Sequence, residues 1–349
     1  MKVLCILNTN QYSGAENVVC QIILAMQNES NIEVAYCSRD GQIREALAER
    51  NIKFIPIKDV TVKEIKSVIL EYKPDVIHAH DMYASFVSAL ACGKIPLISH
   101  IHNNAFDARR LSPKSIAYLL PAMKAKHIFW VSESAYKGYL FHKFFHKKSE
   151  ILYNIINIDE LYDRMHLDTS TYDYDIIYVG RITYPKNPQR LMKVFSEIVK
   201  KLPDVKIAVV GRGELEQEIK ELAKELHLEN NLEFLGFRPN PLKMMHDAKV
   251  MLMTSRWEGT PMCVLEAMAL GLPLVSTPTD GVRELIESEV TGYLSDDDAE
   301  IVDKTVEILT EPEKQAKMSD AMKALAKKIN NVEEYKSKVL KQYRSSSKK

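Results

Sequence analysis

Disulfide chemistry is the first thing this sequence has little room for. Its 349 residues contain five cysteines, Cys5, Cys20, Cys37, Cys92 and Cys263, an odd number with no C-x-x-C pair. Cys5 and Cys37 fall in runs that read as buried strands. This is the usage of reduced, packed thiols in a cytoplasmic protein, and it argues against a disulfide framework or a zinc knuckle. Long apolar runs are also missing: none approaches the roughly 18 residues a membrane span requires. Val3–Leu7 is too short for a signal-peptide core, and Asn8, Asn10 and Gln11 follow closely. The expected location is the cytoplasm, with any membrane contact peripheral, on the inner face of the cell membrane. Net charge is absent, since Lys+Arg and Asp+Glu are both 47. A nucleic-acid binder is usually basic over a whole domain, so no nucleic-acid partner is expected. Glycine is thin where a dinucleotide site would need it. After Leu7 the chain reads Asn-Thr-Asn-Gln-Tyr-Ser-Gly-Ala-Glu, with one glycine, and Gly211-Arg-Gly213 has Glu216 in the third position. Without G-x-G-x-x-G after a strand, a dehydrogenase reading fails.

What is present is a strand–helix alternation that runs twice. In the first half the expected strands are 2–7, 33–37, 54–57, 76–79, 97–101 and 127–131. Amphipathic stretches at 15–27, 43–50 and 62–71 separate several of them. The pattern restarts after the polar stretch 166–174, with strands at 176–179, 206–210, 232–235, 250–253 and 274–276 and helices at 188–201 and 214–226. Such alternation implies parallel sheets with helices on both faces. The length exceeds the roughly 250–300 residues at which single cores split. The expected division is 1–165, 166–330 and a C-terminal helix and tail, 331–349. The helical stretch 332–343 is a candidate to return and pack on the first domain.

The most informative segment is Glu258-Gly-Thr-Pro-Met-Cys-Val-Leu-Glu266. Thr260 is placed to cap a helix and Pro261 to occupy its first turn. The N–H groups of Met262 and Cys263 would then point out of the helix N-terminus, which favours phosphate. Glu258 lies before the helix and Glu266 within it. Two acceptor-only carboxylates beside an anion site suit a sugar diphosphate nucleotide, with amides for phosphate and carboxylates for hydroxyls. Arg181 and Lys186 follow the strand 176–179, at the strand end where open α/β sheets bind ligands. A planar donor fork and a compact charge there could neutralise a diphosphate.

These segments, together with Gly-Arg-Ile-Thr-Tyr-Pro-Lys-Asn-Pro (180–188), Val-Val-Gly-Arg-Gly-Glu-Leu (209–215), Leu-Glu-Phe-Leu-Gly-Phe (232–237) and Gly-Val-Arg-Glu-Leu-Ile (281–286), occur in the order seen in glycosyltransferase family 4. In the first half, Ser-Gly-Ala-Glu-Asn-Val-Val (13–19), Asp-Val-Ile-His-Ala-His (75–80), Ser-His-Ile-His-Asn (99–103) and Val-Ser-Glu-Ser (131–134) also resemble family segments. The resemblance covers roughly 1–310 and is most specific over 176–295. It implies an α/β GT-B fold, two doubly wound Rossmann-like domains facing a central cleft. It also implies retaining transfer of a sugar from a nucleotide-sugar, by frequency a UDP-sugar, to a glycan or lipid-linked acceptor, in surface polysaccharide or glycolipid synthesis.

The resemblance further implies individual roles. Arg181 and Lys186 contact the donor diphosphate, and Glu266 accepts from the ribose hydroxyls. Glu258 lies near the transferred sugar. Met262 and Cys263 act through backbone N–H groups, and the base rests near Gly236–Arg238. Gly14 lets the first loop approach the phosphates, although Ser13 stands where the family usually has another glycine. His102 matches the histidine near the donor sugar and its leaving phosphate, with His100 and Asn103 as neighbours and a one-residue offset open. His80 and Asp81 are candidates for the acceptor side, with a capping role open to Asp81. Two D-x-D strings, Asp173-Tyr-Asp175 and Asp296-Asp-Asp298, precede a strand and a helix respectively and read as structural. No metal cofactor is therefore expected.

Residues 101–150 carry nine Lys/Arg against three acids. Tyr139-Leu-Phe-His-Lys-Phe-Phe-His-Lys-Lys148 interleaves aromatics with base, a composition that suits an anionic membrane surface. Two other activities fit the same pattern: a nucleotide-sugar 2-epimerase of the same fold, and a non-catalytic subunit that binds sugar nucleotides.

Overall fold

The structure, a computed structural model, describes residues 1–27, 29–102 and 106–347. The chain forms two units, residues 1–155 with 331–349, and residues 156–330. The first holds a parallel sheet of seven strands, β1 (Lys2–Ile6), β2 (Glu33–Arg39), β3 (Phe54–Ile57), β4 (Val76–His80), β5 (Leu97–Ile101), β6 (His127–Trp130) and β7 (Ser149–Ile151), in the order β3-β2-β1-β4-β5-β6-β7. The second holds six, β8 (Ile176–Val179), β9 (Ile207–Val210), β10 (Leu232–Gly236), β11 (Val250–Met253), β12 (Leu274–Ser276) and β13 (Gly292–Leu294), in the order β10-β9-β8-β11-β12-β13. The central strands of the second sheet are apolar on both faces, as expected where helices cover both. All four side chains of Val250–Met253 are buried. Each such burial stabilises by about 1.5–3 kcal/mol before entropy is subtracted.

Strand order reverses between β1 and β4 in the first sheet and between β8 and β11 in the second. Loops leaving adjacent strands in opposite directions open a crevice at that point, the place where doubly wound sheets bind ligands.

The first unit takes its last element from the far end of the chain. The helix Val332–Ser347 buries Tyr335, Val339, Leu340 and Tyr343, and packs on the helix Gly14–Met26 and on β4. The division between units falls at Ile155/Ile156, earlier than residue 165. The reason is a helix the sequence pattern did not reveal, Ile158–His166. Asn157 caps it by accepting from the N–H of Asp159 and Glu160. Its Tyr162 hydroxyl donates to the carbonyl of Ala269 at 3.0 Å, and its Arg164 carbonyl accepts from Asn240. Both ties are to the second unit.

The D-x-D strings have local partners. Asp297 caps the helix Asp298–Thr310 by accepting from the N–H of Ala299 and Glu300. Asp298 accepts from Arg190 Nε at 2.6 Å. Asp173 pairs with Lys206, and Asp175 accepts from the Lys206 N–H and from Lys249 Nζ.

Candidate active site

The second unit's candidate residues gather at its switch point, on the loops that leave β8 and β11. Thr254 Oγ1 donates to the carbonyl of Asn187, and the Arg256 N–H donates to the carbonyl of Pro185 at 2.8 Å. These bonds lace the two loops together. Asn187 adopts a left-handed conformation (φ 53°) between the short turn Tyr184–Lys186 and the helix Pro188–Lys201. That turn aims Lys186 at the neighbouring loop. Lys186 Nζ donates to both carboxylate oxygens of Glu258, at 2.6 and 2.7 Å. Ser255 Oγ donates to the same carboxylate at 2.6 Å. The pair is largely shielded, with the Lys186 side chain 15% and the Glu258 side chain 7% exposed. Taking two charges out of water is expensive, so such a pair persists where its geometry is good and its lone pairs are used.

The helix that follows begins one residue later than expected. It spans Met262–Leu270, and Pro261, not Thr260, is its N-cap residue. Pro261 has an extended ψ of 121°, so the chain enters the helix only after it, and no side chain caps the backbone. Met262 and Cys263 thereby become the first two helical residues, whose N–H groups have no partner inside the helix. The Met262 side chain is buried. Glu266 lies one turn further on, half-buried. Burial pushes the Cys263 thiol up to about 12, an effect that Lys186 opposes and that Glu258 and Glu266 reinforce. The thiol is neutral here, so the anion-binding contribution of Cys263 is its backbone.

Two glycines hold these loops at distances that no side chain permits. A Cβ on Gly281 would lie 1.1 Å from the carbonyl oxygen of Gly259. A Cβ on Gly211 (φ 142°) would lie 1.9 Å from the carbonyl oxygen of Gly180. Gly281 therefore lets the short helix Asp280–Arg283 abut the loop that carries Glu258, and Gly211 lets the loop after β9 abut the one that carries Arg181. Arg181 itself is exposed, and its carbonyl accepts from the Tyr178 hydroxyl at 2.9 Å. Burial, and then the Glu258 carboxylate, hold Tyr178 well above its ordinary pKa, so it remains a donor. Arg238 is exposed just past β10, whose end is turned by Gly236 (φ 67°). The Arg212 guanidinium lies against Gly236.

In the first unit, Gly14 opens the helix Gly14–Met26 after β1, with Ser13 at the cap position. Ser13 Oγ donates to Glu16 and makes no capping bond. His102 follows β5. Its N–H donates to Asp81 Oδ1 at 3.1 Å, and its Nε2 lies 2.8 Å from His80 Nδ1. Asp81 thus ties down the residue after the neighbouring strand, and no side chain caps the helix Asp81–Ala91. It does so at a strained φ of 68°, a kind of outlier that collects at functional sites. Burial lowers the His102 pKa, and Asp81 opposes that. His100 is fully buried. Asn103 lies outside the described residues.

Sequence reasoning did not single out Ser255, Arg212 or Gly281, nor the Thr254–Asn187 tie. All but Ser255, which reaches Glu258 three residues on, act through a contact between segments far apart in sequence. Gly281 and Arg212 had a local signal, the Gly-Val-Arg-Glu run and the Val-Val-Gly-Arg-Gly run that hold them.

In the basic segment, Lys143 and Lys147 are exposed, whereas Lys148 Nζ donates to the carbonyls of Met123 and Ala125. Lys148 is therefore a cap on the helix Leu119–Lys124. Phe145 is buried and Phe141 packs on the core, while Phe144 is 80% exposed. Leu111, Ile116, Met123 and Leu140 in this segment are also exposed. Among the described residues, no helix is long and apolar enough to cross a membrane.

Residues 164–339 match the model of the group 1 glycosyl transferases, and residues 12–160 match that of glycosyltransferase family 4. An uncharacterised glycosyltransferase of Methanocaldococcus jannaschii, MJ1059, is 28% identical over 249 residues, 65% of this chain and 61% of that protein. The N-acetylgalactosamine-N,N'-diacetylbacillosaminyl-diphospho-undecaprenol 4-alpha-N-acetylgalactosaminyltransferase of Campylobacter jejuni is 33% identical over 155 residues, 44% of this chain and 42% of that enzyme. The chain thus spans less than two thirds of either relative. Among solved structures, Alr3699/HepE of Anabaena, in complex with UDP-glucose, superposes with a TM-score of 0.86 at 20% identity, over 99% of this chain and 100% of that one.

Proposed function

Since the chain belongs to glycosyltransferase family 4 and is a transferase of the GT-B fold, we propose that it moves a sugar, with retention, from a UDP-sugar to a hydroxyl of a lipid-linked glycan acceptor. The observation that carries this reading is the shielded Lys186–Glu258 pair beside the N-terminus of the helix Met262–Leu270, at the switch point of the second sheet. Lys186, Arg181 and the first amides of that helix take the diphosphate. Glu266 takes the ribose hydroxyls, and Glu258 orients the sugar through the charge it shares with Lys186. The base rests by Gly236–Arg238. From the first unit, Gly14 admits the phosphates and His102 serves the sugar and its leaving phosphate. The acceptor oxygen attacks the anomeric carbon on the face the diphosphate leaves, and the departing phosphate takes the acceptor proton. The UDP-glucose bound by the Anabaena structure and the diphospho-undecaprenol acceptor named for the Campylobacter enzyme support the choice of donor and acceptor class. Incubation with a panel of nucleotide-sugars, with and without lipid-linked acceptor, tests it. Acceptor-dependent release of UDP is expected. A changed sugar nucleotide without acceptor would instead identify an epimerase.

Three further outcomes follow from this reading. Glu266→Ala removes charged hydrogen bonds worth roughly 1.5–3 kcal/mol, so calorimetric affinity for UDP should fall about ten- to a hundredfold. Unchanged affinity would remove Glu266 from the site. Transfer needs no divalent metal, because two cations and a helix N-terminus carry the phosphate charge. Turnover should survive EDTA, and its abolition with recovery on Mg²⁺ or Mn²⁺ would contradict the assignment. Finally, residues 101–150 hold the protein on the inner face of the membrane, through Lys143 and Lys147 with Phe144 inserting. Each exposed lysine adds about 1 kcal/mol on an anionic surface, and added salt weakens the binding. In flotation with anionic vesicles, Lys143→Glu with Lys147→Glu should lower recovery. Equal recovery on neutral and anionic vesicles would rule this out.

A further inference from the structure

The first unit holds a side-chain cluster that the proposed transfer leaves mostly unused. β4 and β5 are parallel neighbours with His80 opposite His100. Side chains two apart on a strand share a face, so His78 and His80 meet His100 there, with His102 just beyond the strand end. Ring centroids are 4.2 Å apart for His78–His80 and for His100–His102, and 5.1 Å apart for His80–His102. All four residues are more than nine-tenths buried. Of their eight ring nitrogens, three are engaged: His78 Nδ1 with the Tyr343 hydroxyl, and His80 Nδ1 with His102 Nε2, each at 2.8 Å. Among the described residues, the other five, including both nitrogens of His100, are buried without a hydrogen-bond partner. Buried polar atoms are almost always paired, and each exception calls for an explanation. A neutral imidazole always carries one lone pair, and on His100 that lone pair meets no donor among the described residues in either tautomer.

We propose that His80, His100 and His102 form a binding site for an imidazole-preferring transition-metal ion, with zinc as the representative. One nitrogen from each ring lies within 4.8 Å of the others. Tetrahedral zinc, with bonds of about 2.0–2.1 Å, needs donors about 3.4 Å apart. The facing nitrogens of His80 and His102 are already closer than that, and rotation of the His100 ring closes the rest. An all-imidazole set suits zinc, cobalt, nickel or copper and is unsuited to magnesium or calcium, which want oxygen. The ion replaces the proton shared by His80 Nδ1 and His102 Nε2. The ring that donated it carries its proton on the other nitrogen instead, so three neutral ligands result and no net proton is released. Burial already disfavours protonation of all three rings. The neighbouring set Cys5, His78 and His80 is a poorer one. The Cys5 thiol is pushed up to about 12 by burial, and His78 Nδ1 is held by Tyr343. His102 is the most exposed of the cluster, at 8%, so entry and the fourth coordination position lie on its side.

The test uses tag-free full-length protein, stripped with EDTA, desalted and titrated with Co²⁺ and then Zn²⁺. One Co²⁺ per chain should give the intense visible bands of a tetrahedral nitrogen site, and Zn²⁺ should displace it. His100→Gln should weaken binding at least about tenfold, as loss of supporting groups alone does at metal sites. His100→Phe should abolish the bands, and melts of both metal-free variants check their folding. A weak octahedral spectrum overturns the proposal. So does binding that is equal in both variants, which would assign the ion to surface rings such as His142 and His146. The wild-type protein supplies a readout that needs no variant. Zinc should shift the imidazole ¹⁵N resonances of three buried rings, and shifts confined to exposed rings would overturn the site. The site stands apart from the transfer reading and touches it only at His102. Zinc that binds here yet leaves transfer unchanged would count against the role given to His102 and not against the site.

Discussion

Replacing Lys186 by alanine should lower turnover at saturating donor on the order of 10²-fold, the usual cost of one donor aimed at charge that grows in the transition state. The structure makes the experiment more exacting than a simple loss of charge. Glu258 is shielded and accepts two of its three named hydrogen bonds from Lys186. Removing one partner of a buried pair strands the other and commonly costs 3–5 kcal/mol, on the order of a large share of a domain's stability. Lys186→Ala should therefore also melt earlier. The two effects separate in Lys186→Met combined with Glu258→Gln, which removes both charges together. That variant should recover most of the melting temperature and little of the turnover. Near-normal turnover in Lys186→Ala would end the claim that this lysine stabilises the leaving diphosphate. Recovery of turnover along with stability would make the pair structural.

Mild acid should destabilise the metal-free first unit steeply, between about pH 6.5 and 5. Burial, with weaker repulsion from neighbouring rings, pushes His78 down to about 3 and lowers His80 and His100 well below their ordinary value. His102 is lowered less, because Asp81 opposes the burial. In the unfolded chain these rings titrate near 6.5. Below that pH the unfolded state binds protons that the folded state refuses, so stability falls as pH falls. Above about 7 neither state binds them and the contribution is complete. Each fully resisting imidazole costs about 1.4 kcal/mol per pH unit. Three such rings resisting protonation together make the loss steep. His127 adds less, because Glu150 stabilises its charged form. Denaturant midpoints followed by the fluorescence of the buried Trp130, in a Trp257→Phe background, report on this unit. The midpoint should drop from pH 7 to 5.5, and His100→Phe should flatten the slope by one imidazole. A midpoint constant over that range would show that the cluster opens or holds a proton in the folded state.

Much of this architecture was legible in the sequence, for a physical reason. Strands buried on both faces are apolar runs, so β8, β11 and β12 appear at their full length. The strands that escaped notice, Ser149–Ile151 and Gly292–Leu294, are three residues long and lie at sheet edges, where a neighbour's hydrogen bonds define them. The helix Ile158–His166 hid in a polar stretch because only Leu161 and Met165 are buried. Charged candidates such as Lys186 and Glu258 were legible from local motifs. What the motifs could not show is that these two meet each other, or that four histidines on two strands share one face. Those are facts of register and loop lacing. The same limit misplaced the helix cap at Thr260, since that depends on where the backbone turns.

The helix that closes the first unit is made only after the whole of the second. Tyr343 meets His78, and Tyr335 and Val339 are buried, in a unit whose other residues were finished before residue 156. Domains usually fold as they emerge, N-terminal first. Here the earlier unit waits, with one face of its sheet unfinished, while the later unit is synthesised whole. Order of synthesis and order of completion are therefore reversed. A ribosome that stalls or terminates near residue 330 releases a chain whose second unit is complete and whose first still shows apolar surface to any chaperone or protease nearby.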